Sequence, residues 1–195
     1  MNVMELDKFA QDVHENAKAH GWWDEPREVY EIIALIHDEW SEALEEDRAG
    51  RPMLWHKCFY NSGMCEHQDV HDNGGGCIGC TPERRKPEGT AVELVDGVIR
   101  IMDFLSALGM PIDNDDVEYA MQKCETLGKP VPWVVTELHD LTAQACRAID
   151  WTYLRMAMAL ALRYIEQRGL DPFEVMRQKH EYNRTRSYKH GGKAY

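Results

Sequence analysis

The chain has 195 residues, of which 44% are hydrophobic and 29% are charged, and its formal net charge is −12. This length and composition predict one folded domain over residues 1–195 and exclude an intrinsically disordered protein. The negative charge argues against a nucleic-acid partner, because binding to a phosphate backbone requires clustered positive charge.

The N-terminal segment is charged and amphipathic, without the apolar core of a signal peptide. The longest apolar run, residues 156–162, is far shorter than the ~18 residues of a membrane span. We therefore expect a soluble, cytoplasmic protein without a membrane partner. In that compartment its cysteines are not expected to form disulfides.

Apolar residues recur at helical spacing through nearly all of the chain outside residues 50–90. The predicted helices run from Met4 to His20, from near Pro26 to about Ala49, from Thr90 to about Leu108, from Asn114 (as the cap) to about Leu127, from Pro132 to Ile149, from Asp150 to Arg168 and over about 172–185. Residues 53–89 lack a sustained period and are interpreted as an irregular Cys-, His- and Gly-rich insertion. No segment shows a convincing strand pattern, so the predicted fold class is all-α, a helical bundle.

Acidic residues interrupt the apolar faces of two of these helices. Glu39 and Glu42 are three residues apart in the second helix, and Glu93 and Asp96 repeat this spacing in the third. Such pairs share one helix face, so two packed amphipathic helices would line their contact with carboxylates. Oxygen ligands of this kind suit Mg²⁺ or Mn²⁺. Spacing alone leaves open a solvated acidic surface, and a capping box between Thr90 and Glu93.

Donor groups suited to phosphate are concentrated near the C-terminus. They are Lys179, Asn183, Arg186, Tyr188 and Lys189, of which the first three fall on one helix face. The alternative is a basic helix end that complements the helix dipole. Trp22 or Trp23 is a candidate for stacking on a base and His37 for a base contact. Packing in the core is the commoner role for such a tryptophan and an equal alternative for His37.

Four cysteines lie in the insertion at the spacing C-x6-C-x11-C-x2-C. They are Cys58, Cys65, Cys77 and Cys80, and the last two stand in the sequence GGGCIGC. A C-x2-C pair among glycines is typical of half a structural zinc site. Free thiols in a loop and a redox pair remain the alternatives.

Three segments, in order, resemble the MazG-like all-α nucleoside triphosphate pyrophosphohydrolases. Glu39-x-x-Glu42 followed by Glu93-x-x-Asp96 looks like their ExxE…ExxD signature. The surrounding segments IALIHDEWSEALEEDRAGRP and KPEGTAVELVDGVIRIMDFLSALG resemble the two motif helices, and KHEYNRTRSYKHGGKAY is similar to the C-terminal element of the phage and bacterial subgroup. The resemblance covers about residues 20–52, 86–110 and 170–194, and the Cys-rich insertion departs from it.

The resemblance implies Mg²⁺- or Mn²⁺-dependent cleavage of a nucleoside triphosphate into a monophosphate and pyrophosphate, with deoxynucleotides as the expected substrates. The two acidic pairs would hold the metal, Glu39 or Glu42 would orient the attacking water, and the C-terminal segment would close the site. It also implies a homo-oligomer, a dimer or tetramer, for which the apolar helix over Met156–Tyr164 is the predicted interface. The alternatives are a house-cleaning hydrolase for modified nucleotides and a non-catalytic, zinc-stapled helical binding module.

Overall fold

The helical periodicity of the sequence is realised in the computed structural model, which describes residues 5–58 and 85–192. The helices are α1 (Leu6–Ala19), α2 (Val29–Arg48), α3 (Thr90–Ala107), α4 (Asn114–Lys123), α5 (Val131–Ala148), α6 (Thr152–Glu166), α7 (Pro172–Arg184) and the short α8 (Lys189–Gly192). Two four-residue strands, β1 (Trp55–Cys58) and β2 (Arg85–Glu88), form an antiparallel ribbon. The prediction of a mostly helical fold is confirmed.

Helix α3 lies at the centre of the fold because its sequence is apolar around most of its circumference. It packs against α1, α2, α6 and α7, while α5 covers α2 and α6, and α4 covers α6. Side chains such as Val95, Ile101 and Leu105 are completely buried. Polar residues on α3 therefore lie inside the protein, where they require partners.

The contact between α2 and α3 is close because Gly97 lacks a side chain. A Cβ atom at this position would lie 2.2 Å from the ring of Trp40 on α2. The Trp40 ring is fully buried, and its Nε1 donates to Thr142 Oγ1 on α5 at 3.0 Å. Gly97 thus sets the separation of α2 and α3 next to their acidic residues.

The prediction of no strand is wrong for the ends of the insertion. In the β1–β2 ribbon Trp55 stands opposite Glu88 and Cys58 opposite Arg85. Four-residue strands whose partner lies about thirty residues away carry no period that sequence inspection can detect. Of the four cysteines proposed to bind zinc, Cys65, Cys77 and Cys80 lie outside the described residues, as does the side chain of Cys58.

Two further local predictions are corrected. The cap of α4 is Asp113, whose side chain accepts from the backbone N–H groups of Asp115 and Asp116, and the helix ends at Lys123. Asn114 instead accepts a hydrogen bond from the Leu6 backbone N–H at 2.8 Å.

Most of the apolar segment of α6 that was predicted as an oligomer interface lies inside the protein. Its apolar stretch from Ala157 to Leu162 is buried in the core of the same chain, at most 6% exposed. An oligomer of this protein would therefore use a different surface.

Among the helices of residues 5–58 and 85–192, none is both long and apolar enough to cross a membrane.

Candidate metal centre

Carboxylates from α2 and α3 meet where these helices pack. Oxygen atoms of Glu39, Glu42 and Glu93 all lie within 4.8 Å of one another. Glu39 and Glu93 are buried, Glu42 is exposed, and Asp96, one turn after Glu93, is 8% exposed. The i, i+3 spacing in each helix produces this arrangement once the two helices pack face to face. The structure therefore brings together the four acids of the sequence motif, hereafter the carboxylate cluster.

Thr90 and Glu93 do not form a capping box. The residue that caps α3 is Gly89, and no side chain makes a capping hydrogen bond there. Thr90 Oγ1 instead donates to the Ala43 carbonyl on α2 at 3.4 Å. This leaves the Glu93 carboxylate directed to the cluster.

Three basic or amide side chains balance the cluster from inside the protein. Arg100 Nε lies 2.6 Å from Glu39 Oε1. Lys179 Nζ, on α7, lies 3.2 Å from Asp96 Oδ2 and 3.7 Å from Glu93 Oε2, and Lys179 is only 3% exposed. Asn183 Nδ2, one turn later, donates to Asp96 Oδ1 at 3.3 Å. Helix α7 is thereby tied to the acids of α3.

Burial and mutual repulsion shift the titration of these acids. Burial raises the pKa of Glu93 to about 8, with Asp96 adding to the rise and Lys179 opposing it. Burial likewise raises the pKa of Glu39 to about 7, although Arg100 opposes the shift. Burial also acts on Asp96, but the Lys179 ammonium and the Arg100 guanidinium outweigh it and hold the pKa of Asp96 below its usual range.

A divalent cation fits this donor set. All candidate ligands are carboxylate oxygens, the ligands that Mg²⁺ and Mn²⁺ prefer. Burial is the main cause of the raised pKa values of Glu39 and Glu93, and a bound cation would favour their ionised forms. Glu39, Glu42 and Glu93 are therefore the residues that could hold such an ion, and Asp96 lies beside them, paired with Lys179.

The stability of the metal-free protein should fall as the pH rises from about 5 to 8. The folded state holds protons on Glu39 and Glu93 more tightly than the unfolded chain. Their contribution to the free energy of unfolding is thus present near pH 5 and is lost as the pH passes about 7 for Glu39 and about 8 for Glu93. Urea denaturation in EDTA at several pH values measures the slope, at most about 1.4 kcal/mol per pH unit for each proton.

The variant Glu93→Gln isolates this effect, because glutamine does not titrate. Its free energy of unfolding should depend less on pH between 5.5 and 8 than that of the wild type. Glu45→Gln, at an exposed position of α2, is the control and should run parallel to the wild type. Equal slopes for wild type and Glu93→Gln would contradict the assignment.

A pocket beside the carboxylate cluster lies between α1, α3 and α7. Its lining includes Asp96 and Arg100 of α3, Asn183 of α7, and Trp22 and Arg186 from the segments that follow α1 and α7. Asn183 Oδ1 is buried and has no hydrogen-bond donor among the described residues. The pocket thus joins the cluster to an aromatic ring, cationic groups and a vacant acceptor.

The remaining sequence candidates have structural contacts. Trp23 Nε1 donates to both Asp103 oxygens, at 2.9 and 3.1 Å. His37 Nδ1 lies 2.7 Å from His139 Nδ1 on α5, and the two rings stack. Trp23 is not among the residues that line the pocket. His37 is engaged by His139 of α5.

Two tail residues hold the C-terminal segment against α1. The Tyr188 hydroxyl donates to Asp24, and its ring covers Gly21, where a Cβ would lie 2.3 Å from the ring. The Lys189 backbone N–H donates to the His20 carbonyl at 3.0 Å. Of the five predicted C-terminal donors, Asn183 and Arg186 are the ones that line the pocket.

Arg100 is a site residue that the sequence reasoning missed. It follows Glu93 and Asp96 at i+7 and i+4, so it lies on their helix face. The available signal was a lone basic residue in a helix whose other residues are mostly apolar and whose other charges are acidic, because a guanidinium partly withdrawn from water needs a carboxylate partner.

Comparisons of the chain with protein-family models, curated proteins and solved structures find no match. The four carboxylates, their cationic partners and the adjoining pocket are therefore the observations from which a function can be proposed.

Proposed function

We propose that this protein is a MazG-like, Mg²⁺- or Mn²⁺-dependent nucleoside triphosphate pyrophosphohydrolase, which converts a (d)NTP to a (d)NMP and pyrophosphate. The observation that carries the proposal is the approach of Glu39, Glu42 and Glu93 to within 4.8 Å, with Asp96 one turn away. Polyphosphates and carboxylates repel each other, so a site of this kind calls for a divalent cation between them. The order and spacing of the acids support the same proposal through the family resemblance.

Glu39 and Glu42 have different roles in the proposed hydrolysis. When bound, the metal ion supplies positive charge to the phosphate oxygens. Glu39 is engaged by Arg100, whereas no hydrogen bond or ion pair holds Glu42 among the described residues. Glu42 is also the exposed member of the cluster. We therefore assign the orientation of the attacking water to Glu42.

We assign the nucleoside to the neighbouring pocket, which has room for about 80 Å³ in this structure and has to widen to admit a base. Trp22 offers an aromatic face for the base, and Asn183 Oδ1 is an unused acceptor beside Asp96. Arg186 places a cation on the same wall. This arrangement would set the nucleoside next to the cluster, where the α-phosphate has to lie for cleavage to yield pyrophosphate.

Removal of divalent cations should abolish hydrolysis. Purified protein is treated with EDTA, exchanged into metal-free buffer and offered a panel of nucleoside triphosphates, including modified bases. We expect monophosphate and pyrophosphate, resolved by chromatography, only after addition of Mg²⁺ or Mn²⁺.

Two outcomes would overturn the proposal: undiminished turnover in the chelated sample, or release of inorganic phosphate with a diphosphate as the other product. Preference for a modified nucleotide would keep the reaction and identify the house-cleaning role.

A further inference from the structure

The β1–β2 ribbon is anchored beside the carboxylate cluster. Trp55 at the start of β1 is buried, and its Nε1 donates to Glu46 Oε2 of α2 at 2.9 Å. The Ala91 backbone N–H of α3 donates to the Met53 carbonyl at 2.8 Å. Strand β2 also packs against α3 and α7, the helices that carry Asp96 and Lys179. The ribbon therefore has a defined position relative to the cluster.

The register of the ribbon places two lysines opposite each other. Lys57 of β1 pairs with Lys86 of β2, and Trp55 pairs with Glu88. Residues directly opposite in an antiparallel ladder share one face, and so do alternate residues of one strand. Lys57, Lys86 and Glu88 hence lie on one face, where two directly opposed like charges are unfavourable.

Only one carboxylate of the described residues pairs with these two ammonium groups. Lys86 Nζ lies 2.8 Å from Glu88 Oε1, and the Lys86 side chain is 34% exposed. Lys57 is exposed and forms no ion pair with any residue that the structure describes. An anion that bridged the two lysines would relieve their repulsion.

The ribbon face that carries Lys86 is directed toward α2 near the exposed acid of the cluster. Lys86 shares this face with Trp55, whose Nε1 donates to Glu46, and Glu46 is one turn after Glu42. Lys179 is buried against Glu93 and Asp96, so it is engaged within the protein. The Lys86 side chain, by contrast, is 34% exposed and accessible to a ligand.

We propose that Lys57 and Lys86, the ribbon lysine pair, bind the two phosphates that leave as pyrophosphate and so position the triphosphate against the carboxylate cluster. The inference rests on the proposed function for its substrate. A triphosphate carries its charge in a chain of phosphates, so a site that holds its α-phosphate at the carboxylates needs a separate cationic group for the distal end. The ribbon supplies that group from outside the helical bundle.

The first test measures binding of pyrophosphate by calorimetry in the presence of Mg²⁺. Lys86→Ala and Lys57→Ala/Lys86→Ala should weaken binding at least about tenfold, the size expected for loss of a charge-assisted hydrogen bond. Lys86→Arg, which keeps the charge, should bind within a few-fold of the wild type. Lys123→Ala is the control, because Lys123 lies on α4, which packs against α6. Lys86→Arg and Lys123→Ala should keep the wild-type melting temperature. The variants that lack Lys86 leave the buried Glu88 without its partner and should melt at a lower temperature, so binding is measured well below the melting temperature of every variant.

The second test measures steady-state hydrolysis with the same proteins. The double variant should show a higher KM for the triphosphate and a smaller change in kcat. Unchanged binding and unchanged KM would overturn the inference while leaving a Mg²⁺-dependent wild-type reaction, and hence the proposed function, intact. Lysine-dependent pyrophosphate binding without hydrolysis would support the anion site and reject the proposed function. Absence of pyrophosphate binding by the wild type would also overturn the inference.

Discussion

Replacement of Glu42 by alanine should lower the rate of pyrophosphate release by at least ~10²-fold. The change removes one of the carboxylates proposed to hold the metal ion, which stabilises the charge of the transition state. Glu42 is exposed and lies within 4.8 Å of Glu39 and Glu93, so its removal relieves repulsion and creates no buried cavity. The thermal stability of the metal-free variant should therefore equal or slightly exceed that of the wild type. Steady-state kinetics in saturating Mg²⁺ and a thermal melt in EDTA measure the two effects.

The matched control for this prediction is Glu45→Ala. Glu45 is an exposed acid on the same helix, three residues further along, and its loss changes the net charge equally. Its kcat and KM should remain close to those of the wild type. If Glu42→Ala and Glu45→Ala show the same near-normal turnover, Glu42 has no part in catalysis and the proposed assignment of the water-orienting residue fails.

Replacement of Lys179 by methionine should destabilise the fold by about 3–5 kcal/mol, the typical cost of removing one partner of a buried ion pair. Lys179 is 3% exposed and faces Glu93 and Asp96 at 3.7 and 3.2 Å. Methionine fills much of the same volume, so the loss reports the uncompensated carboxylates. A fall in Tm of roughly 6–20 °C is expected for a chain of this size.

The electrostatic origin of that loss can be separated from a packing defect. The deficit should be smaller at pH 5.5 than at pH 8, because the Glu93 carboxyl, whose pKa is already raised to about 8, is protonated at the lower pH. Addition of Glu93→Gln, or of Mg²⁺, should restore part of the stability. Lys123→Met, at an exposed lysine of α4, should have little effect. A variant as stable as the wild type at pH 8 would show that the buried ammonium is dispensable.

Local sequence signals were sufficient for the helices that build the site. The segment from Thr90 to about Leu108 was predicted as helical, and α3 spans Thr90–Ala107. Apolar spacing at 3.6 residues, with glycine or proline at the ends, depends only on neighbours in the chain. The same reasoning placed Glu39 and Glu42 on one face of α2.

Contacts between distant segments were outside the reach of that reasoning. The pairing of Lys57 with Lys86 joins strands separated by the insertion, and no local period marks either strand. Sequence spacing could not distinguish a phosphate-binding Lys179 from one buried against Asp96. It also could not tell which tryptophan, Trp22 or Trp23, lines the pocket.

The sequence by itself therefore determined the helical class, most helix limits and the alignment of four acids on two helices, because these properties follow from residues within a few turns of one another. Only the tertiary structure decided how the acids are compensated. The α2–α3 separation depends on Gly97 against Trp40. Arg100 reaches Glu39 only when α2 and α3 have packed, and the buried Lys179 reaches Asp96 only when α7 has packed on α3. Burial, which raises the pKa of Glu39 and Glu93, likewise exists only in the folded core.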